Sequence, residues 1–176
     1  MPVRFGFIHE KIDIKILILF LLRRLPEPIP LDVLSELTLP CDDGISYFDF
    51  AECVAELVET EHLRLEDGKY SLTKKGLRNG EITQGSIPHT VREKAEKSAG
   101  ALRTEQNRNA MIKTSHTARR DGGFDVSLAL SDGLGDIAAI SLFAANEQQA
   151  QELEAGFRKR AEHVYGELIR IILDKE

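Results

Sequence analysis

Residues 62–76 read HLRLEDGKYSLTKKG, and this stretch decides the fold expected for the N-terminal half of the chain. Apolar and polar residues alternate on both sides of Asp67-Gly68, which is typical of two short strands. Asp-Gly is a strong signal for a two-residue hairpin turn, because both turn positions need a positive φ. Thr73 is then placed to cap a short helix that runs to about Ile82. The sequence therefore predicts a β-hairpin followed by a helix.

Three helices are predicted before this hairpin. The first covers His9–Leu25 and is apolar nearly all round at its middle, which is typical of a buried central helix. A second, short helix begins at about Leu31. The third begins at Ser46 and runs to about Glu61. Ser46-x-x-Asp49 resembles a capping box, in which the hydroxyl and the carboxylate each satisfy free amides of the first turn.

Three helices, a hairpin and a capping helix within residues 1–86 follow the order of a winged helix-turn-helix domain, in which the hairpin is the wing. Tyr70–Gly76 resembles the Y-x-L-T-x-x-G segment that closes the wing of bacterial regulators of the PadR and MarR type.

The whole chain is similar to an uncharacterised bacterial family that joins such a domain to a C-terminal helix, β-hairpin and helix. The segments that carry this likeness are Lys11–Ile18, Tyr47–Phe50, Ile87–Glu93, Asp121–Phe124 and the terminal helix. The resemblance implies a transcriptional regulator, although the family has no assigned activity.

A second, α+β domain is predicted over residues 87–176, because Gln84–Pro88 combines Gly, Ser and Pro. Its first element is a polar helix from about Thr90 to about His116, for which Gly100 and the stretch Gln106–Asn109 predict a break. Residues 117–120 are expected to add a short strand.

Two further strands and a long helix complete this domain. Residues 124–131 alternate apolar and polar side chains, and residues 137–144 are more uniformly apolar, so a hairpin is expected with its turn at Asp132–Gly135. Asn146-x-x-Gln149 is a capping box that begins the terminal helix. The expected fold class is therefore α+β, with a winged helix-turn-helix followed by a helix, β-hairpin and helix.

The terminal helix carries an apolar stripe about five turns long, more than one hairpin is expected to cover. Part of the stripe is therefore expected to contact a second copy in a homodimer. The residues assigned to this interface are Leu153, Phe157, Val164, Leu168, Ile171 and Ile172.

Composition limits the function classes. The chain has 176 residues and a net charge of −6, which excludes a protein whose whole surface attracts nucleic acid and leaves room for a local basic patch. Its longest apolar run, Ile16–Leu22, is too short to span a bilayer. Two cysteines in a chain of this size fit a reducing compartment, so a cytoplasmic protein without membrane contact is expected.

No catalytic or metal-binding signature is present in the sequence. The five histidines lack metal-ligand spacing, and Cys41 and Cys53 are expected to pack in the core. Asp132–Asp136 joins two predicted strands, so it is interpreted as a hairpin turn instead of a phosphate or calcium loop. Neither an enzyme nor a bound cofactor is expected.

The third helix complicates DNA binding, because this element normally enters the major groove. Four carboxylates share the face opposite its apolar stripe: Asp49, Glu52, Glu56 and Glu59. One interpretation is an ordinary solvated helix face. The other is an acidic surface that repels phosphates and suits a basic protein partner.

Cations lie elsewhere in the sequence. The candidate DNA-binding residues are Arg64, Lys69, Lys74, Lys75 and Arg78 on the wing and the helix after it, with Ser46 and Tyr47 at the start of the third helix. A second basic block runs from Arg92 to Arg120. Either group is suited to phosphate contacts or to simple solvation. Double-stranded DNA is the leading predicted partner, and a winged helix used only for protein contacts is the alternative.

Overall fold

The computed structural model describes residues 6–173. The protein is a mixed α+β chain with two three-stranded sheets. Its contacts divide it into two compact units, and the division falls between Gln106 and Asn107 in the chain. This division falls later in the chain than the boundary expected between residues 86 and 87. The reason is packing, because Val91, Ala95 and Ala99 are buried in the core of the first unit.

The first unit contains three helices, a hairpin and a following helix, at the positions that the sequence predicts to within a few residues. Its elements are α1 (Lys11–Leu22), β1 (Ile29–Pro30), α2 (Leu31–Thr38), α3 (Tyr47–Glu59), β2 (Leu63–Glu66), β3 (Lys69–Leu72), α4 (Lys74–Thr83) and α5 (His89–Met111), of which residues up to Gln106 belong to this unit.

Helix α1 lies at the centre of the first unit. Its side chains from Ile16 to Leu22 are all buried, as expected for a helix that is apolar nearly all round. Leu34 of α2 and Phe50 of α3 are completely buried in the same core cluster. Helices α1, α2 and α3 therefore share one hydrophobic core.

The hairpin has the turn that its sequence demands. Asp67 and Gly68 have φ angles of 50° and 74°, so both turn positions lie in the left-handed region. A third strand, β1, pairs with β3, and the sequence pattern does not predict it because it is only two residues long and contains Pro30. Two residues at a sheet edge tolerate a proline, since Pro30 has no backbone N–H to leave unpaired there.

The second unit is an antiparallel sheet packed against one long helix. Its elements are β4 (Ile112–Ala118), β5 (Phe124–Ser131), β6 (Asp136–Ala144) and α6 (Glu147–Leu173), and the strand order is β4-β5-β6. Val126, Leu128 and Leu130 of β5 are buried on the face that packs against α6. Strands β5 and β6 thus lie where the sequence predicts them.

Strand β4 corrects the sequence-based prediction. Helix α5 continues through Gly100 without the expected break and ends at Met111, five residues before the predicted end at His116. The chain then forms β4 over residues 112–118 in place of a short strand at 117–120. Ile112 and Thr114 lie opposite buried residues of β5, so pairing with a distant strand outweighs the local helical tendency.

Helix α6 begins at the predicted cap. Asn146 Oδ1 accepts a hydrogen bond of 2.9 Å from the Gln149 N–H, and Gln149 Oε1 accepts one from the Ala145 N–H. The helix bends at Arg160, whose φ and ψ of −134° and 21° are not helical. Phe157 and Ala161, on either side of the bend, are buried against the sheet.

No helix within residues 6–173 combines the length and the apolarity that a bilayer crossing requires.

Candidate nucleic-acid interface

Ser46 holds the first turn of α3. Its Oγ accepts a hydrogen bond of 3.0 Å from the Asp49 N–H, as an N-cap should. The Asp49 carboxylate accepts a bond of 2.7 Å from the same hydroxyl, which replaces the second half of the predicted capping box. The Ser46 side chain is therefore occupied by the helix that it begins, while Tyr47 beside it is exposed.

The carboxylates of α3 have partners on α1. Lys11 Nζ lies 2.6 Å from Glu52 Oε1, and Lys15 forms an ion pair with Glu56. The hydrogen bond to Glu52 raises the pKa of Lys11, and the hydrogen bond from Lys15 lowers the pKa of Glu56. Two of the four charges in the acidic stripe are thus neutralised by the neighbouring helix.

The outward face of α3 carries apolar side chains among its carboxylates. Phe48 is 76% exposed and Tyr47 is 57% exposed, and Ala55 is also exposed two turns further along. Helix α3 carries no lysine or arginine. The sequence indicated this face only indirectly, because the inward stripe of Phe50, Val54 and Leu57 leaves Phe48 on the other side.

The start of α4 is fixed against the turn that precedes β2. Thr73 Oγ1 accepts a hydrogen bond of 3.1 Å from the Gly76 N–H and donates one of 2.6 Å to the Glu61 carbonyl. A Cβ on Gly76 would lie 2.0 Å from the His62 carbonyl oxygen, so only glycine allows this approach. These contacts set the direction in which the side chains of α4 leave the hairpin.

His62 lies in the same hydrogen-bonded junction. Its Nε2 is 2.7 Å from Asn79 Nδ2, and its Nδ1 is 2.9 Å from Thr60 Oγ1. Because the Asn79 amide nitrogen is a donor, Nε2 accepts and the neutral ring donates from Nδ1. Burial lowers the pKa of His62, and the positive charge of Lys75 lowers it further.

The predicted cations of the hairpin and α4 are not equivalent. Lys75 Nζ donates a hydrogen bond of 2.7 Å to the Thr60 carbonyl, and Arg64 lies 3.6 Å from Glu66. Lys69, Lys74 and Arg78 are exposed, and within the described residues they form no ion pair or side-chain hydrogen bond. These three cations are therefore the ones available to a phosphate.

The geometry divides the cations between two places. Arg64, Lys74 and Lys75 line one groove, whose other walls include Val58 and Leu63. Lys69 lies at the tip of the hairpin, about 10 Å along the strand from its base. Lys74 and Arg78 are four residues apart and share one face of α4.

The second basic block, residues 92–120, is divided between the two units. Arg92 and Arg103 lie on the part of α5 that belongs to the first unit, whereas Lys113 and Arg119 belong to the second. Lys113 lies 3.4 Å from Asp136, and Arg119 lies 3.2 Å from Asp121. The paired members of the block are therefore less available to phosphates.

The six residues assigned to a dimer interface on α6 separate into two groups. Phe157 is buried in the core of the second unit, Leu153 and Val164 pack partly against that core, and Leu168 is half-buried. Ile171 and Ile172, in the last turn, are 63% and 73% exposed. Only this end of the stripe presents a large exposed apolar surface, because the sheet covers the middle.

Chemically reactive groups do not converge within the described part of the chain. No three His, Cys, Asp or Glu residues there are arranged to hold a metal ion. Burial raises the pKa of Cys41 and of Cys53 to about 11, so both thiols stay protonated at neutral pH. The Asp132 carboxylate accepts hydrogen bonds from the Leu134 and Gly135 N–H groups, which lower its pKa and close the β5–β6 turn.

Comparison with known families agrees with the resemblance to an uncharacterised family. Residues 14–172 match the family described as Domain of unknown function (DUF4364). The chain belongs to this family. Comparison with curated proteins and with solved structures finds no match for it. The family assigns no activity, so function has to be argued from the surfaces described above.

Proposed function

We propose that the first unit is a winged helix-turn-helix domain that binds double-stranded DNA, and that the protein is a transcriptional regulator. The observation that carries this proposal is the pairing of Glu52 and Glu56 with lysines of α1. An acidic α3 was the main objection to DNA binding, and this pairing removes about half of the repulsive charge from that helix.

Three exposed cations supply the attraction in this proposal. Lys69 at the hairpin tip is placed like the wing residue that reaches a backbone or minor groove. Lys74 and Arg78 add two further phosphate contacts from α4. Phosphate contacts position a protein on a duplex without reading its sequence, so we expect affinity to come from these residues and sequence preference from other contacts.

The test is a titration of labelled duplex DNA at about 50 mM and about 200 mM salt. We expect salt-sensitive binding, and each lost phosphate contact should reduce the slope of log K against log salt by about 1. Lys74→Gln/Arg78→Gln should therefore bind more weakly and lose about 2 from the slope. Lys94→Gln/Lys97→Gln, which removes two exposed charges from α5, is the matched control and should change little.

Absence of any association at about 50 mM salt would remove the DNA-binding proposal. An equal loss in the α4 double variant and in the α5 control would also count against it, because the effect would then follow net charge alone.

A second function is supported by the apolar face of α3. Phe48, Ala51 and Ala55 form a surface that an amphipathic partner helix or an apolar groove would cover. The partner then needs apolar character, since Glu52 and Glu56 are already paired within the chain and offer little to a basic protein.

Photo-crosslinking from position 48 separates the two functions. A benzophenone amino acid in place of Phe48 should crosslink to duplex DNA if α3 enters the groove. Crosslinking only to protein, with no DNA adduct under binding conditions, would favour the protein-interaction module. Reversing Glu52 and Glu56 to lysine is a poorer test, because it sets like charges against Lys11 and Lys15 and disturbs the packing of α1 on α3.

A further inference from the structure

Strand β6 is a free edge of the second sheet. It covers Asp136–Ala144 and has β5 on one side, and on the other side no strand of the described chain pairs with it. An edge strand presents a row of unpaired backbone N–H and C=O groups that another strand can bind. At nine residues, β6 is also the longest strand of the protein within the described residues.

β6 has one irregularity, a bulge at Ile137, where the pairing steps from Ala138–Leu130 to Asp136–Ser131. Beyond this bulge, residues 138–144 lack the features that normally prevent pairing. Residues 137–144 read IAAISLFA, without a charge or a proline. Leu142 and Phe143 are 40% and 56% exposed. Asp136 is the only charged residue of β6, and Lys113 lies 3.4 Å from its carboxylate. Natural edge strands are usually protected by lysine, proline or a bulge, and the bulge at Ile137 protects only the first residues of β6. The exposed apolar edge over residues 138–144 therefore indicates a binding surface.

We propose that β6 pairs antiparallel with β6 of a second copy of this chain, which joins the two sheets into one of six strands. The register with Ile140 opposite itself pairs the regular residues 138–142 of the two copies. Asp136 and Ile137, at the bulge, then lie beside Ala144 and Phe143 of the other copy. The two Asp136 side chains then lie about 27 Å apart, well beyond the screening length at physiological salt, so the pair contains no like-charge contact.

The packing of β6 favours a second copy of this chain as the strand that binds this edge. A two-fold axis perpendicular to the sheet keeps each residue on its own face, because opposite residues of antiparallel strands point the same way. Ile140 and Leu142 lie on the face that packs against α6, and the half-exposed Leu142 would be covered by Ala138 of the other copy. The core layer thus continues across the new pair.

Symmetry further favours β6 with β6 over other edge combinations. Pairing β6 with β4 of another copy would leave a free β6 and a free β4 at the two ends and would continue into a filament. Pairing through β6 alone closes at two copies. The other edge, β4, carries Lys113 and His116 and is protected in the usual way. This proposal rests on the second unit and does not depend on DNA binding.

The test uses charge at Ala139 and Ser141, which are exposed on the face of β6 away from α6 and lie opposite each other across the proposed pair. The full chain should sediment as a dimer at micromolar concentration. Ala139→Lys/Ser141→Lys sets two pairs of lysines against each other and should weaken the dimer roughly 30-fold. Ala139→Glu/Ser141→Glu should do the same, and an equimolar mixture of the two variants should recover the dimer.

Two controls locate the interface. Ser115→Lys/Thr117→Lys places the same charges on the exposed face of β4 and should leave the dimer intact. Ile171→Ser/Ile172→Ser removes the exposed apolar side chains at the end of α6 and should also leave the dimer intact. If either control dissociates the dimer while the β6 variants do not, the proposal is wrong, and dissociation by the α6 variant would assign the interface to that helix.

Hydrogen exchange tests the same strand pairing without any substitution, so it does not depend on how well the charged variants fold. In the unmodified protein, amides of residues 137–143 should become more protected as protein concentration rises through the dimer transition. A monomer at all micromolar concentrations, or a dimer without this added protection, would overturn the proposal.

Discussion

The two sheets of this protein differ in the length of their strands and in the charge of their edge strands. The first sheet has strands of two to four residues with charged side chains such as Arg64 and Glu66, and its hairpin base is closed by α4. The second has strands of seven to nine residues and ends in an apolar edge. The first sheet therefore has short, charged strands, whereas the second has a long and mostly apolar edge of the kind that another strand can bind.

The largest expected loss of stability comes from a substitution on the buried face of β5, compared with one on its exposed face. Leu128 is buried against α6, and Leu128→Ala should lower the free energy of unfolding of the second unit by about 3 kcal/mol. Ser127, its neighbour on the exposed face, is the matched position, and Ser127→Ala should change stability by less than about 0.5 kcal/mol. Denaturant unfolding, with hydrogen exchange to assign the transition to the unit, measures both. Similar losses in the two variants would show that a second layer covers the exposed face.

The next effect tests whether the first sheet depends on its junction with α4. Gly76→Ala places a methyl group against the His62 carbonyl and should cost about 2 kcal/mol in the first unit. Gly100→Ala is the matched helical control, because no atom within 4 Å opposes its new methyl group, and it should stabilise the protein by about 0.8 kcal/mol. A neutral Gly76→Ala variant would mean that α4 moves freely relative to the hairpin.

The smallest expected effect distinguishes the two units by pH. The pKa of His62 lies below its ordinary value of 6.5, so its contribution to stability is complete above about pH 6.5 and is lost as the pH falls through the folded-state value. In the second unit burial opposes ionisation of Glu154, but hydrogen bonds from His116 and Thr114 outweigh it and lower the pKa. The stabilisation of the second unit by ionised Glu154 is therefore lost only when the pH falls below the ordinary glutamate pKa of 4.5.

Unfolding of the first unit measured between about pH 7.5 and 5.5 checks the histidine contribution. His62→Gln should reduce the pH dependence over this range, and His163→Gln, in the second unit, should preserve it. The assignment to His62 fails if the two variants behave alike.

Much of the first unit could be predicted because its signals are local. The Asp67-Gly68 turn, the Thr73 cap and the Ser46 cap depend on residues within four positions of each other, and all three form as expected. The family assignment also agrees with the resemblance seen in the sequence. The winged-helix interpretation, the DNA contacts and the dimer remain predictions that the experiments above test.

Strand β4 could not be located from local sequence signals. Its sequence, IKTSHTA, follows a polar helix without a turn, and the strand exists because β5 lies beside it. The same holds for the acidic stripe of α3, whose meaning depends on Lys11 and Lys15, more than thirty positions away in sequence.

The sequence by itself determined the order of elements, the turns and caps, and the apolar faces, because these depend on backbone preferences and periodicity over a few residues. Only the tertiary structure decided which charges are neutralised, which cations stay exposed and which strand edge is free. Those properties depend on distances between groups far apart in the chain, and electrostatic and backbone hydrogen-bonding energies change steeply with such distances.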